Sequence, residues 1–271
     1  MRNLRRYGAG PFRVAVLHGG PGAPGSAAAV ARELARDMGV LEPLQTRDSV
    51  EGQIEELRLT IDAHGDPPVT LVGHSWGAML GVLFAARHPN SVAKLILVGS
   101  GPMESHYAEG IMPTRLSRIP EADRGEARRL MDRLSSGDFQ QSELDRLGVL
   151  MGCTDTYESL PEADNGSLPP ADDGAVDLSF QPRVHERVWA EAAKLRSEGG
   201  FVRAVRAVRC PVAAIHGDYD PHPAEGVKEP FAAHAPGFRF HLLSQCGHEP
   251  WRERHAHAEF FRVLRDELSV A

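Results

Sequence analysis

Short apolar runs alternate with helical stretches at both ends of this 271-residue chain. The runs predict strands at Arg13–His18, Val40–Leu44, Val69–Gly73, Lys94–Gly99, Pro211–His216 and Phe238–Leu243. Helices are predicted over Ala27–Met38, Ser49–Ala63, Ala78–Arg87 and Ala256–Leu268. In the second helix, Val50, Ile54, Leu57 and Ile61 recur with helical period and form one apolar face. Asp48, with Glu51 three residues on, reads as its N-cap and capping-box partner. Strands alternating with helices predict an α/β fold, a mostly parallel central sheet with helices on both faces.

The alternation stops between Gly101 and Arg209, where no strand pattern appears. Leu130 and Leu134, then Leu144, Leu147 and Met151, stand at helical spacing. The expected organisation is a core of residues 1–100 and 209–271 with a helical cap, 101–208, inserted between its halves. Within the insertion, Pro161 to Pro182 includes Pro169 and Pro170, carries Glu162, Asp164, Asp172, Asp173 and Asp177, and has no Lys or Arg. That composition is that of a mobile acidic loop.

A net charge of −7 argues against nucleic acid and anionic membranes as partners. No apolar run approaches the ~18 residues needed to span a bilayer. The basic start, Met1–Arg6, is not followed by the apolar region of a secretory signal. Cys153, Cys210 and Cys246 cannot all pair and lack metal-ligand spacing, so a reduced, cytoplasmic setting is expected.

The chemistry begins at Gly73-His74-Ser75-Trp76-Gly77, a GxSxG motif between a predicted strand and a predicted helix. That context makes it a nucleophile elbow, with Ser75 lifted clear of the sheet. Gly73 and Gly77 remove side chains where strand and helix come closest. A serine hydroxyl needs a general base, and the base needs an orienting acid. Both partners follow in the order Ser, Asp, His at strand ends. His248, in Cys246-Gly247-His248-Glu249-Pro250-Trp251, is the candidate base. The acid is Asp220 or Asp218 of Gly217-Asp218-Tyr219-Asp220-Pro221, with Asp220 preferred. His106, His185, His234, His255 and His257 lack such a place and are read as solvated.

His216, Asp218, Asp220 and His222 alternate, and an extended segment could turn them toward one divalent metal. Gly217 and Pro221 argue instead for a turn, and no metal or cofactor is expected. An oxyanion hole needs two backbone N–H groups. Trp76 supplies one. Gly20 of His18-Gly19-Gly20-Pro21-Gly22 supplies the other, since Pro21 has no N–H to give. The same loop lacks the Lys and Ser/Thr of a phosphate-binding P-loop.

With HGGPG, GHSWG, HGDYD and GHEPW in order, the chain resembles the α/β-hydrolase superfamily across most of residues 10–100 and 207–268. HGGPG with a Trp after the serine resembles the proline iminopeptidase branch. The resemblance implies a triad of Ser75, Asp220 and His248 and an oxyanion hole of Gly20 and Trp76. Ser75 argues against the dehalogenase and epoxide hydrolase branches, which place Asp there. The chain departs from the iminopeptidase pattern in carrying His74 where that branch usually has Gly. It also lacks an Arg-Gly-rich turn at Gly39–Thr46 and has a leader too short for the full leading hairpin. The expected function is hydrolysis of a small ester, amide or short peptide through an acyl-enzyme. The same triad would serve a C–C bond hydrolase or a perhydrolase, and the same fold can serve as a non-catalytic receptor for a small ligand.

Overall fold

The computed structural model of the chain describes residues 3–136, 140–161 and 181–270. Among these, seven strands form one sheet: β1 (Leu4–Tyr7), β2 (Val14–Leu17), β3 (Val40–Pro43), β4 (Val69–His74), β5 (Val92–Val98), β6 (Val212–Gly217) and β7 (Arg239–Leu243). Their order is β1-β3-β2-β4-β5-β6-β7, and every pairing is parallel except that of β1 with β3. The helices in chain order are α1 (Ala28–Leu34), α2 (Val50–His64), α3 (Trp76–Arg87), α4 (Ser105–Ala108), α5 (Ile111–Arg118), α6 (Glu121–Ser136), α7 (Gln141–Gly152), α8 (Gln181–Ser197), α9 (Gly200–Ala207), α10 (Glu225–His234) and α11 (His257–Ser269).

The strands are apolar on both sides, so both faces are covered. Val14, Val16, Val72, Ile96, Val98 and Ile215 pack with α1 and α11. Their alternates Ala15, Leu17, Leu71, Leu95, Leu97 and Ala214 pack with α2, α3, α8, α9 and α10. Val50, Ile54, Leu57 and Ile61 of α2 are all buried in that second layer. The helix starts one residue later than its sequence suggests. Ser49, not Asp48, is the N-cap: its Oγ accepts the Gly52 N–H at 3.1 Å from an extended backbone. Asp48 is left outside the helix and pairs with Arg183 (3.2 Å) and Arg187 (3.0 Å) of α8.

Two elements carry no sequence signal. β1 is Leu-Arg-Arg-Tyr, too charged to read as a strand, and is held by its ladder to β3. α10 holds Pro230 in its interior, which reads as a breaker, but Val227 and Phe231 anchor it in the core. Between β5 and β6 the described elements are helices α4–α9, where a helical insertion is expected. They divide by packing. Ile119, Ala127 and Leu150 of the α5–α7 region form a small cluster of their own. Val184, Val188, Ala192, Phe201 and Val205 of α8 and α9 join the core beneath α3. The acidic loop expected at 161–182 falls on residues outside the described ones, apart from Pro161 and the start of α8 at Gln181.

The strand order positions the site. β2, β4, β5, β6 and β7 lie side by side and parallel, so their C-terminal ends share one edge of the sheet. The turns after them hold His18–Gly22, Ser75, Gly99, Asp218–Asp220 and Cys246–His248. Anything joining the β4 end to the β6 and β7 ends must cross over β5. Gly99 makes the crossing possible. Its φ is +49°, and a Cβ there would lie 2.6 Å from the His248 carbonyl oxygen and 3.3 Å from Asp220 Oδ2.

Candidate active site

Ser75 forms the turn from β4 into α3 with φ 53° and ψ −117°. For a non-glycine residue this costs on the order of 1–3 kcal/mol, and such strain persists only where the surroundings impose it. Here they do. A Cβ on Gly73 would meet the Gly77 carbonyl oxygen at 2.4 Å, and one on Gly77 would meet that of Leu17 at 2.3 Å. The Ser75 N–H donates to Val98 (3.0 Å), which ties the turn to β5. Trp76 is the first residue of α3, so its N–H has no acceptor within the helix. Its indole is fully buried and donates to Gln53 Oε1 at 2.8 Å.

The HGGPG loop lies against this turn. A Cβ on Gly19 would come within 3.2 Å of Ser75 Cβ, and Gly20 follows with φ +114°. His185 of α8 is exposed, yet it is not merely solvated: its Nδ1 bonds the Pro21 carbonyl at 3.0 Å.

The two candidate acids separate cleanly. Asp218 is exposed and stays with the β7 loop, accepting the Cys246 N–H and the Ser244 hydroxyl, each at 3.2 Å. Asp220 turns inward and is 8% exposed; its Oδ2 accepts from His248 Nδ1 at 2.7 Å. The segment is thus a turn, as Gly217 and Pro221 suggest: Asp218 points away, while His216 and His222 converge on Asp220. The described group with metal-ligating atoms near one another is Asp220, His222 and His248, within 4.8 Å. Those atoms are engaged with each other: His222 Nδ1 bonds Asp220 Oδ1 at 2.7 Å.

Burial would raise the Asp220 carboxyl, but His248, His222 and His216 outweigh it and hold the group well below the ordinary carboxylate range. Burial would likewise lower His248, but the charge and hydrogen bond of Asp220 outweigh it and raise the imidazole above its usual value. Its ring neighbours go the other way. Burial, then the nearby His248, takes His74 well below its ordinary value, and burial takes His222 to about 4. Of three adjacent imidazoles, His248 alone has heightened affinity for a proton, which suits a general base.

A family model of the α/β-hydrolase fold matches residues 44–251. The chain belongs to the α/β-hydrolase fold family. Solved structures with the same fold include VinJ (19% identity, TM-score 0.72, covering 98% of this chain and 93% of that one). The proline iminopeptidase of Mycobacterium smegmatis is similar at 20% identity and a TM-score of 0.64, with 98% and 93% covered. So is the enol-lactonase of Burkholderia xenovorans LB400, at 17% identity and a TM-score of 0.58, with 98% and 95% covered.

Within this α/β-hydrolase the helical segment takes part in the site in a way no motif announces. The His248 N–H donates to the Asp155 carbonyl at 2.7 Å, and Arg115 grips the Asp155 carboxylate with two bonds of 2.8 and 2.5 Å. Glu253, 1% exposed, accepts N–H groups from Gly247 (2.8 Å), Tyr157 (2.9 Å) and Glu158 (2.8 Å). Arg118 lies over the Tyr219 ring at 3.6 Å and donates to the carbonyls of Thr154 and Tyr219. The segment just after α7 is therefore stitched to the turns after β6 and β7. Sequence reasoning misses Asp155 and Glu253 because no local spacing marks them: Asp155 meets His248, and Glu253 meets Tyr157 and Glu158, across more than ninety residues.

Proposed function

We propose that this α/β-hydrolase is a serine hydrolase that cleaves a small ester, amide or short peptide through an acyl-enzyme. The observation that carries the reading is the 2.7 Å bond between His248 Nδ1 and Asp220 Oδ2, on the sheet edge where Ser75 sits in its strained turn. Asp220 accepts the Nδ1–H, which leaves His248 Nε2 as the free base. That nitrogen takes the Ser75 hydroxyl proton as Oγ attacks the carbonyl carbon. The Trp76 and Gly20 N–H groups hold the resulting oxyanion. His248 returns the proton to the departing alcohol or amine. Water, deprotonated by the same imidazole, then releases the acyl group. In this reading the helical segment 101–208 serves as the cap that shapes the substrate's entry. Iminopeptidase and enol-lactonase neighbours support an amide or ester carbonyl as the target.

The test is labelling by a fluorophosphonate, wild type against Ser75→Ala, with the modified peptide located by mass spectrometry. Labelling of Ser75, lost in the variant, is the expected result and leads to a screen of p-nitrophenyl esters beside prolyl and alanyl arylamides. A folded wild-type protein that takes no label overturns the proposal.

A further inference from the structure

Asp220 carries a second imidazole. Its Oδ1 accepts the backbone N–H of His222 at 2.9 Å and His222 Nδ1–H at 2.7 Å, while Oδ2 accepts His248 Nδ1–H. An ionised carboxylate can only accept, so both imidazoles carry their proton on Nδ1. The two rings are stacked, with centroids 4.5 Å apart and planes 27° from parallel. His222 is itself anchored, because His216 Nε2–H donates to its carbonyl at 2.8 Å and stands 3.6 Å from Asp220 Oδ2.

We propose that His222 is a positioning residue that fixes the carboxylate of Asp220, draws off part of its charge, and so sets how tightly His248 holds a proton. The inference rests on the proposed Ser75–His248–Asp220 triad. Donors on a buried anion compete: each charge-assisted bond at Oδ1 leaves less charge to stabilise an imidazolium at Oδ2. His222 can play this part without becoming charged, since its burial keeps it neutral at neutral pH. The other groups facing His248 act differently. His74, from the end of β4, lies ring to ring at 4.7 Å and is neutral. Asp155 and Arg115, from the helical segment, are paired with each other and oppose one another. Among these neighbours His222 is the one that shares Asp220 with His248.

Two variants divide its two contacts. His222→Phe keeps a ring over His248 and removes the donor; His222→Asn keeps an amide donor near the Nδ1 position and removes the ring. The measurements are NMR titration of His248 and the pH dependence of Ser75 labelling. Loss of the donor should move the His248 titration and the acid limb of labelling up by about one pH unit in His222→Phe. His222→Asn should leave both close to wild type. An unmoved His248 in His222→Phe, or equal shifts in both variants, overturns the inference. The wild type gives an independent check that needs no variant to fold: nitrogen-15 shifts must show His222 as the neutral, Nδ1-protonated tautomer, and an Nε2-protonated ring overturns the proposal. The titration reads His248 whether or not Ser75 reacts. A wild type that takes no label therefore sinks the triad reading, while the NMR comparison still judges His222.

Discussion

His74 Nε2–H donates to the carbonyl oxygen of His248 at 3.1 Å, so the residue before the candidate nucleophile holds the backbone of the candidate base. The His74 ring also stands edge-on to Trp251 at 4.7 Å. Glycine, the residue usual here in the iminopeptidase pattern, could make neither contact. His74→Ala should lower kcat/KM by roughly ten- to a hundredfold through misplacement of His248 while leaving Ser75 in its turn. Steady-state kinetics on an ester that the wild type hydrolyses would check this. An unchanged rate would mean that the His248 loop is held well enough without it.

The carboxylates of Asp218 and Asp220 lie two residues apart but in different surroundings. Asp220→Asn should cost about four orders of magnitude in kcat, because the two His222 donors keep the amide oxygen at the Oδ1 place and turn its NH₂ toward His248 Nδ1, which forces the wrong imidazole tautomer. Asp218→Asn should cost far less, since that group braces an exposed loop. Comparable losses in the two would remove Asp220 from its role.

The part of this arrangement that sequence could reach is the part built from consecutive residues. Ser75, Asp220 and His248 each follow an apolar run and sit beside Gly or Pro, so the turns that bring these candidates to one sheet edge are written locally. The α/β fold is legible for the same reason: strand alternation and the α2 face need only a short window. What escaped reading depends on distance along the chain. β1 exists through its ladder to β3. Ser49 displaces Asp48 as N-cap because α8 draws Asp48 away. Asp155 meets His248 through its backbone carbonyl, which leaves no mark on residue type, and the Glu253 carboxylate serves backbone N–H groups, which any residue carries. His222 shows in the sequence only within an alternating set that suggested a metal.

Glu253 is buried and accepts three backbone N–H groups. In Glu253→Gln one of its two oxygens becomes an NH₂ group facing a donor. The loss should be about 1–3 kcal/mol, because buried N–H groups are left without an acceptor. In a chain of this length that lowers Tm by about 5 °C, read by calorimetry. The activity should fall with it, since Gly247 adjoins His248. A Tm within a degree of wild type would contradict this account.

Stability should peak near the ordinary histidine pKa. Burial lowers His18, His74 and His222 in the fold from 6.5, His222 to about 4. Their unfolded forms bind protons first, so this contribution is present above pH 6.5 and is lost as the pH falls towards 4. His248 has the opposite sign. Burial disfavours its charge, Asp220 outweighs that, and its raised pKa stabilises the fold below 6.5 and ceases to as the pH rises through the raised value. Urea unfolding across this range should show a maximum near pH 6.5 and a decline toward pH 4, of which His222 alone supplies on the order of 3 kcal/mol. A fold that gains stability throughout acidification would contradict it.

The bond from the His248 N–H to the Asp155 carbonyl also decides which pieces of this chain can be exchanged. Residues 153–160 come from the helical insertion in sequence but travel with the sheet in function, together with Arg115 and Arg118, which grip them. A chimera that imports a whole foreign insertion brings in a new support for the candidate base His248. Nor is the α6–α7 pair independent of that support: the Thr154 and Asp155 N–H groups donate to the Met151 and Gly152 carbonyls at the end of α7, and Arg124 of α6 holds the Ile119 carbonyl, so a change in these helices is felt at the candidate base.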